Sequence, residues 1–442
     1  MSAQATPATP DRPSAALSTS AATAFSPAVP ATANAAAVAL LTAIGVAAWW
    51  LASQPEGGRD LSLSLLLGAA FGIVLQRSRF CFYCIARDAI ERRDPAGVYA
   101  VLVALAVGTL GYHAVFGAFL PIAGAERLPP GAHIGPVSLA LVAGAFVFGV
   151  GMRISGSCIS AHFYRLGEGA LASPFALLGA GVGFVLGFAS WNALYLAMIQ
   201  QAPVVWLPHH LGYGGTVLLQ CAALGLLTLG LSRLGRRVPA LRQADGAFAG
   251  AGIGAGDVPE GAMSADAVPT AAALRSPWQA ILRDRWPAAV GGLLVALIGV
   301  IAYLRIAPLG VTAELGSVAR TAASAIGALP SRLEGLDTFA GCATVVKQAL
   351  LSNNGAFVLA LVAGAWAAAL AAGAFRPRWP TAGEILRNFT GGVLMGWGGM
   401  TALGCTVGTL LSGVMAGAAS GWIFGAACVA GIWVALKLRP TR

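Results

Sequence analysis

The chain has 442 residues, 57% of them hydrophobic, only 10% charged, with a formal net charge of +10. Soluble domains carry about 25% charged residues, so this composition excludes an ordinary soluble globular protein. The basic excess does not form one stripe, which argues against a nucleic-acid surface.

Residues 1–34 are rich in Ala, Pro, Ser and Thr and read as a disordered tail, without the basic start and short apolar run of a signal peptide. Apolar stretches long enough to cross a bilayer then recur at Ala35–Ala52, Val98–Leu120, Ala172–Met198, Gly214–Leu234, Ala288–Leu304, Gly355–Phe375 and Gly417–Leu438. Shorter apolar pieces lie between them, at Leu61–Gln76, Val137–Met152, Val311–Leu329 and Gly391–Met400. The pattern predicts an all-α polytopic membrane protein, with a first membrane half over 35–233, a flexible linker over 234–286 and a second half over 287–442.

Charge sets an expected topology. The stretch 233–285 holds Arg233, Arg236, Arg237, Arg242, Arg275, Arg283 and Arg285, whereas 201–213 holds no Lys or Arg. The positive-inside rule places the first in the cytoplasm and the second outside. Lys437, Arg439 and Arg442 place the C-terminus in the cytoplasm too.

The two halves share a pattern. Aligned on cysteine, "AGAFVFGVGMRISGSC" (143–158) and "GGVLMGWGGMTALGC" (391–405) match Gly144 with Gly391, Gly149 with Gly396, Gly151 with Gly398 and Cys158 with Cys405. Ala172-Ser173 and Ala419-Ser420 fall on the same offset of 247. Traced from the outward loop and the inward C-terminus, the copies cross in opposite senses, which predicts an inverted-topology repeat. Each copy is an apolar run of about 15 residues, short for a crossing. Interrupted, glycine-rich segments at matching places mark a transporter's path, because broken helices expose backbone N–H groups that suit an anion. The competing reading is packing: a membrane cysteine fills a small space and glycines let helices touch.

Other groups carry chemistry. "RSRFCFYCIARDA" (77–89) sets Cys81 and Cys84 at C-x-x-C spacing among Arg77, Arg79 and Arg87. That spacing fits a redox dithiol, but with no second C-x-x-C it closes no four-thiolate zinc site. "DTFAGCATVVKQALLSNNG" (337–355) carries Cys342 and Lys347, the latter either drawing an anion or snorkelling to the interface. Cys221 and Cys428 read as packing residues. His209-His210, beside Trp206, offer too few ligands for a metal. Glu168, Glu314, Asp337 and Glu384 sit near segment ends, which weakens a metal-ion permease. A membrane thiol oxidoreductase using Cys81 and Cys84 remains an alternative from another class. No metal or cofactor is expected.

"FGIVLQRSRFCFYCIARDA", "FGVGMRISGSCISAHFYRLGEG" and a second glycine-rich run ending in "GCTVG" together resemble the YeeE/YedE family of sulfur-transport membrane proteins. The resemblance spans about 60–233 and 290–437. It implies an hourglass-like inverted repeat with short re-entrant or broken helices around a central path, importing thiosulfate along cysteine thiols through the inner membrane. Carried over by motif, the path residues are Cys81, Cys158, Cys342 and Cys405, with Cys158 and Cys405 at the constriction. Arg79, Arg87, Ser160, Tyr164, Arg165, Lys347 and Gly404 support them. The expected partners are thiosulfate or a related small anion, the bilayer and a cytoplasmic sulfur-carrier protein; selenium-related substrates fit some relatives. Two departures stand out. Cys84 replaces an expected small residue, and Ser157 precedes Cys158 where the family has glycine, here displaced to Gly156.

Overall fold

The computed structural model describes residues 31–124, 127–235, 281–339, 347 and 351–438. Most of the tail, most of the linker, Cys342 and the last four residues therefore lie outside the described residues. Described in chain order are α1 (Ala31–Ala52), α2 (Gly58–Ser78), α3 (Phe82–Glu91), α4 (Ala96–Phe119), α5 (Leu139–Ser155), α6 (Ile159–Gly167), α7 (Ser173–Leu194, continued by a π turn Tyr195–Ile199) and α8 (Leu207–Gly235). The second half supplies α9 (Ala288–Arg305), α10 (Val311–Ala325), α11 (Asn353–Ala371), α12 (Ala382–Thr401), a π-helical turn Thr406–Ser412, α13 (Gly413–Met415) and α14 (Ala419–Leu438). Nine helices among the described residues are long and apolar enough to cross a membrane, and no strand forms among those residues. The chain is a polytopic all-α membrane protein.

The apolar stretches became helices within a few residues of their expected ends, because in hydrocarbon each backbone N–H must be met within its own segment. Four boundaries differ. Helix α1 begins at Ala31, inside the expected tail. The piece expected at Gly391–Met400 is twice as long: Thr381 and Glu384 form a capping box that starts α12 at Ala382. Thus α12 has 20 residues and α5 has 17, and the interruption falls after these helices rather than within short ones. Part of the expected outer loop is helical, since α8 starts at Leu207 and breaks at Gly212 (φ 67°). Fourth, the end of the linker is ordered. The Arg77 guanidinium donates to the Asp284 carbonyl, and Trp286 N donates to the Arg77 carbonyl at 3.1 Å.

Lipid exposure grades outward. The apolar windows of α1 and α8 are only 22% and 17% buried, against 61% for α11. Helix α11 packs on α2, and α12 packs on both α5 and α7. The halves therefore interleave: α2 meets α11 as α4 meets α9, and α5 meets α14 as α7 meets α12.

Glycine makes the central seam. A Cβ on Gly144 would lie 2.8 Å from the Gly398 carbonyl oxygen, and one on Gly151 would lie 2.7 Å from that of Gly391. Under the 247-residue offset, Gly398 is the counterpart of Gly151 and Gly391 that of Gly144, so these two contacts are reciprocal. The outer seams repeat this. Any side chain at Gly149 would strike the Cys428 carbonyl, and any at Gly396 the Ala180 carbonyl. Here one offset shifts: Ala180 and Cys428 are 248 apart. The offset of 247 holds for α5 and α12 but becomes 248 in the seams of α7 and α14, so the expected match of Ala172-Ser173 with Ala419-Ser420 is displaced by one residue. Between them lies the π turn Thr406–Ser412, in which Leu410 N reaches back five residues to the Cys405 carbonyl. A π turn winds one extra residue into a helix. Between lipid-bathed helices, cohesion comes from packing rather than water exclusion, so such close backbone approach holds the seams together.

Candidate functional site

Three of the predicted cysteines share one local structure. Helix α2 ends on left-handed Arg79 (φ 53°), one residue follows, and Cys81 is the N-cap of α3. Helix α5 ends on left-handed Gly156 (φ 79°), and Cys158 is the N-cap of α6. After α12, Leu403 is left-handed (φ 55°) and Cys405 is the N-cap of the π turn. Each break is thus a left-handed residue, one spacer, then cysteine. Only at Gly156 does the sequence announce it, since a left-handed backbone is disfavoured for residues with a Cβ. Arg79 and Leu403 gave no such signal.

The first two breaks meet. Cys81 and Cys158 are both fully buried, with sulfurs 4.0 Å apart and no disulfide. Cys81 Sγ lies 3.7 Å from Ser157 Oγ, and Cys158 Sγ lies 3.3 Å from Ser160 Oγ. A short thiol–hydroxyl chain results, made of weak donors that also accept. Ser157, the departure from the family pattern, is fully buried and adds a hydroxyl to it, while Gly156 supplies the left-handed turn.

Cations collect on one side of this chain. Arg165 donates to Cys84 Sγ (3.4 Å) and to the Gly156 carbonyl (3.4 Å), and makes no ion pair among the described residues. Cys84 therefore touches the cluster, through a contact with Arg165 that no sequence spacing shows. Arg79 pairs with Glu168 at 3.3 Å, and Gln76 donates to the same carboxylate at 3.2 Å. Arg87 instead pairs with its neighbour Asp88 at 2.8 Å, and Tyr164 is buried in the core.

The third break stands in its own turn. Cys405 is buried, and its sulfur accepts from Gly408 N at 3.4 Å. Gly404 precedes it, where any Cβ would collide with the Thr409 hydroxyl. Lys347 forms an ion pair with Glu314 in the first turn of α10, and Ser352, the N-cap of α11, donates to the same carboxylate at 2.7 Å. Both ends of that pair are largely buried, so the lysine is neither snorkelling nor unpaired. His209 and His210 are exposed, with rings 4.8 Å apart, whereas Trp206 is buried and donates to the Ala416 carbonyl at 2.9 Å.

Membrane-crossing helices broken at buried cysteines, around reciprocal glycine seams, define a polytopic transport protein rather than a soluble enzyme. Residues 77–434 match the family model described as sulphur transport. The chain belongs to that family. It is 27% identical over 386 residues to "Thiosulfate transporter TsuA" of Escherichia coli strain K12, covering 86% of this chain and 95% of that protein. It is 28% identical over 381 residues to "Thiosulfate transporter TsuA" of Spirochaeta thermophila, covering 84% and 96%. A shorter match, 26% over 156 residues and 35% of each chain, is to "Probable transporter YedE" of Salmonella typhimurium.

Proposed function

We propose that the protein imports a small sulfur-containing anion, thiosulfate first among them, across the inner membrane along Cys81, Cys158, Cys342 and Cys405. The observation that carries this reading is the buried contact of Cys81 with Cys158, each the N-cap of a helix restarted after a left-handed break. Thiols bind a soft sulfur anion weakly, and conduction needs binding strong enough to admit it yet weak enough to release it. Exposed N–H groups at the restarted helices and the Arg165 guanidinium offset its charge. The names of the two long-matching relatives support the substrate.

On this reading the halves form an inverted-topology repeat, a reading supported by the reciprocal Gly144–Gly398 and Gly151–Gly391 contacts. The linker and C-terminus are cytoplasmic. A soluble sulfur carrier takes the product on that side. External protease applied to spheroplasts should leave the linker intact; cleavage there would reverse the topology.

The deciding experiment is uptake of radiolabelled thiosulfate by cells lacking their own sulfur importers, with and without this protein. Uptake that appears only with the protein supports the reading, and its absence refutes it. The oxidoreductase alternative requires the Cys81–Cys84 pair to cycle; a stoichiometric disulfide between them in native membranes would favour it.

A further inference from the structure

The two broken segments that carry Cys81 and Cys158 are joined a second time, by a pair of opposite charges. Arg79 precedes Cys81 by two residues and is the left-handed C-cap of α2 (φ 53°), while Glu168 is the C-cap of α6, the helix that Cys158 starts. Arg79 Nη1 lies 3.3 Å from Glu168 Oε2. Arg165, one turn before Glu168, reaches Cys84 Sγ at 3.4 Å, so the pair adjoins the thiols.

Neither residue stands where local stability would put it. A left-handed backbone is unfavourable for a residue with a Cβ, and a carboxylate at a helix C-terminus meets the negative end of the dipole. Their contact is also loose. Charge-assisted N–H···O bonds run about 2.7–2.9 Å, and arginine favours a two-pronged grip. Here a single prong reaches 3.3 Å, and it is the only side-chain hydrogen bond of Arg79 among the described residues. Gln76, 3% exposed, donates to the other carboxylate oxygen at 3.2 Å, while its own Oε1 has no partner. Native interiors leave few buried polar atoms so. Glu168 fills the place without satisfying it.

The charges around it indicate what fits better. Arg77, Arg79 and Arg285 act on one another here, against the carboxylates of Glu168 and Asp284, so positive charge is in excess with Glu168 seated. A dianion gains more from that excess than a single carboxylate does, and its oxygens match the unused prongs of the Arg79 fork. The backbone of Glu168 is pinned. Its carbonyl receives Arg376 N at 3.0 Å, and that of Gly169 receives Arg378 N at 3.2 Å, so only the side chain is free to leave. The second half repeats the arrangement, with Glu314 held by one cation, Lys347, and one neutral donor, Ser352.

We propose that Arg79 and Gln76 form a binding site for a small sulfur oxyanion, which the Glu168 carboxylate occupies as a stand-in when no anion is there. The assignment rests on the transport reading above and deepens it. The arriving anion takes Arg79, Glu168 swings aside, and the cytoplasmic side of the thiol cluster opens. When the anion leaves, Glu168 returns to Arg79 and closes the way back.

Glu168→Gln tests this, because it keeps the shape and removes the competing charge. By calorimetry on purified protein in detergent, the dissociation constant for thiosulfate should fall roughly tenfold, the gain expected when the competing state holds about ten parts in eleven. Arg79→Gln should raise it roughly tenfold, and Arg79→Lys, which keeps the charge, by less. With Arg79→Gln already in place, Glu168→Gln should bring no gain, since the carboxylate competes only for Arg79. A constant that Glu168→Gln alone leaves unchanged or raises would show an ordinary structural ion pair and overturn the assignment, whatever the melting temperature does. Should wild-type protein carry no thiosulfate in liposomes, tighter binding of thiosulfate or sulfate by Glu168→Gln would keep the site while the transport reading falls. Binding of neither anion by either protein would remove the site as well.

Discussion

The break before Cys158 and the break before Cys405 are built alike and open on different surroundings. After Gly156 the chain restarts as an ordinary α-helix, beside Cys81, Ser157, Ser160 and the Arg165 guanidinium. After Leu403 it restarts as a π turn, beside neutral Thr401, Thr409 and His133. One break thus faces a cationic thiol cluster, and the other has neutral threonine and histidine side chains near it. The breaks share a backbone form and differ in the residues around them; on the proposed transport reading, an anion meets different partners at each.

The largest expected effect separates these ends. Cys81→Ala and Cys158→Ala should each cut thiosulfate uptake roughly 5- to 150-fold, the equivalent of about 1–3 kcal/mol for one lost buried donor, with normal protein levels in the membrane. Serine in either place should retain more uptake than alanine if the thiol acts as a hydrogen-bonding group. Equal loss with serine would assign the role to sulfur itself, and unimpaired alanine variants would remove the cluster from the path.

Next comes the seam that makes the comparison possible. Gly149→Ala and Gly396→Ala both drive a methyl into a backbone carbonyl, of Cys428 and Ala180 respectively. Each should destabilise by about 1–3 kcal/mol, as overpacking does, seen as similar falls in melting temperature in detergent. A large effect in only one would show that the halves do not share the load.

Backbone strain gives a smaller test. A Cβ at Gly156 would meet nothing within 4 Å, so Gly156→Ala isolates the cost of the left-handed turn. That cost should be roughly 1–2 kcal/mol, read from thermal unfolding. The corresponding turn already bears Leu403, and a negligible cost at Gly156 would mean that both breaks are held by their surroundings. Smallest of all is Cys84→Ala. Arg165 keeps the Gly156 carbonyl as acceptor, so uptake should fall by less than Cys81→Ala causes. Equal and complete loss from both would revive the redox reading.

The sequence carried the helices well, because apolar runs are long and lipid leaves the backbone few choices. It misjudged α12, whose first turns hold Glu384, Arg387 and Asn388 and hide a helix start that the Thr381 capping box makes plain. The contact of Cys81 with Cys158 joins residues 77 apart, and no local spacing encodes it. Cys84 read only as half of a C-x-x-C pair, because its partner Arg165 is 81 residues away.

The π turn has a consequence for how this chain can change its length. Helices locked by carbonyls resting on glycines cannot absorb an insertion, since one added residue would rotate every glycine about 100° out of its seat. The turn at Thr406–Ser412 acts as an expansion joint, taking up a whole residue while the seams on both sides keep their register. Removing one residue there should tighten it toward an ordinary α turn and bring the spacing after Cys405 closer to that after Cys158. Among the segments flanking the seams, this is where the protein can be lengthened or shortened by one without its two halves losing their grip.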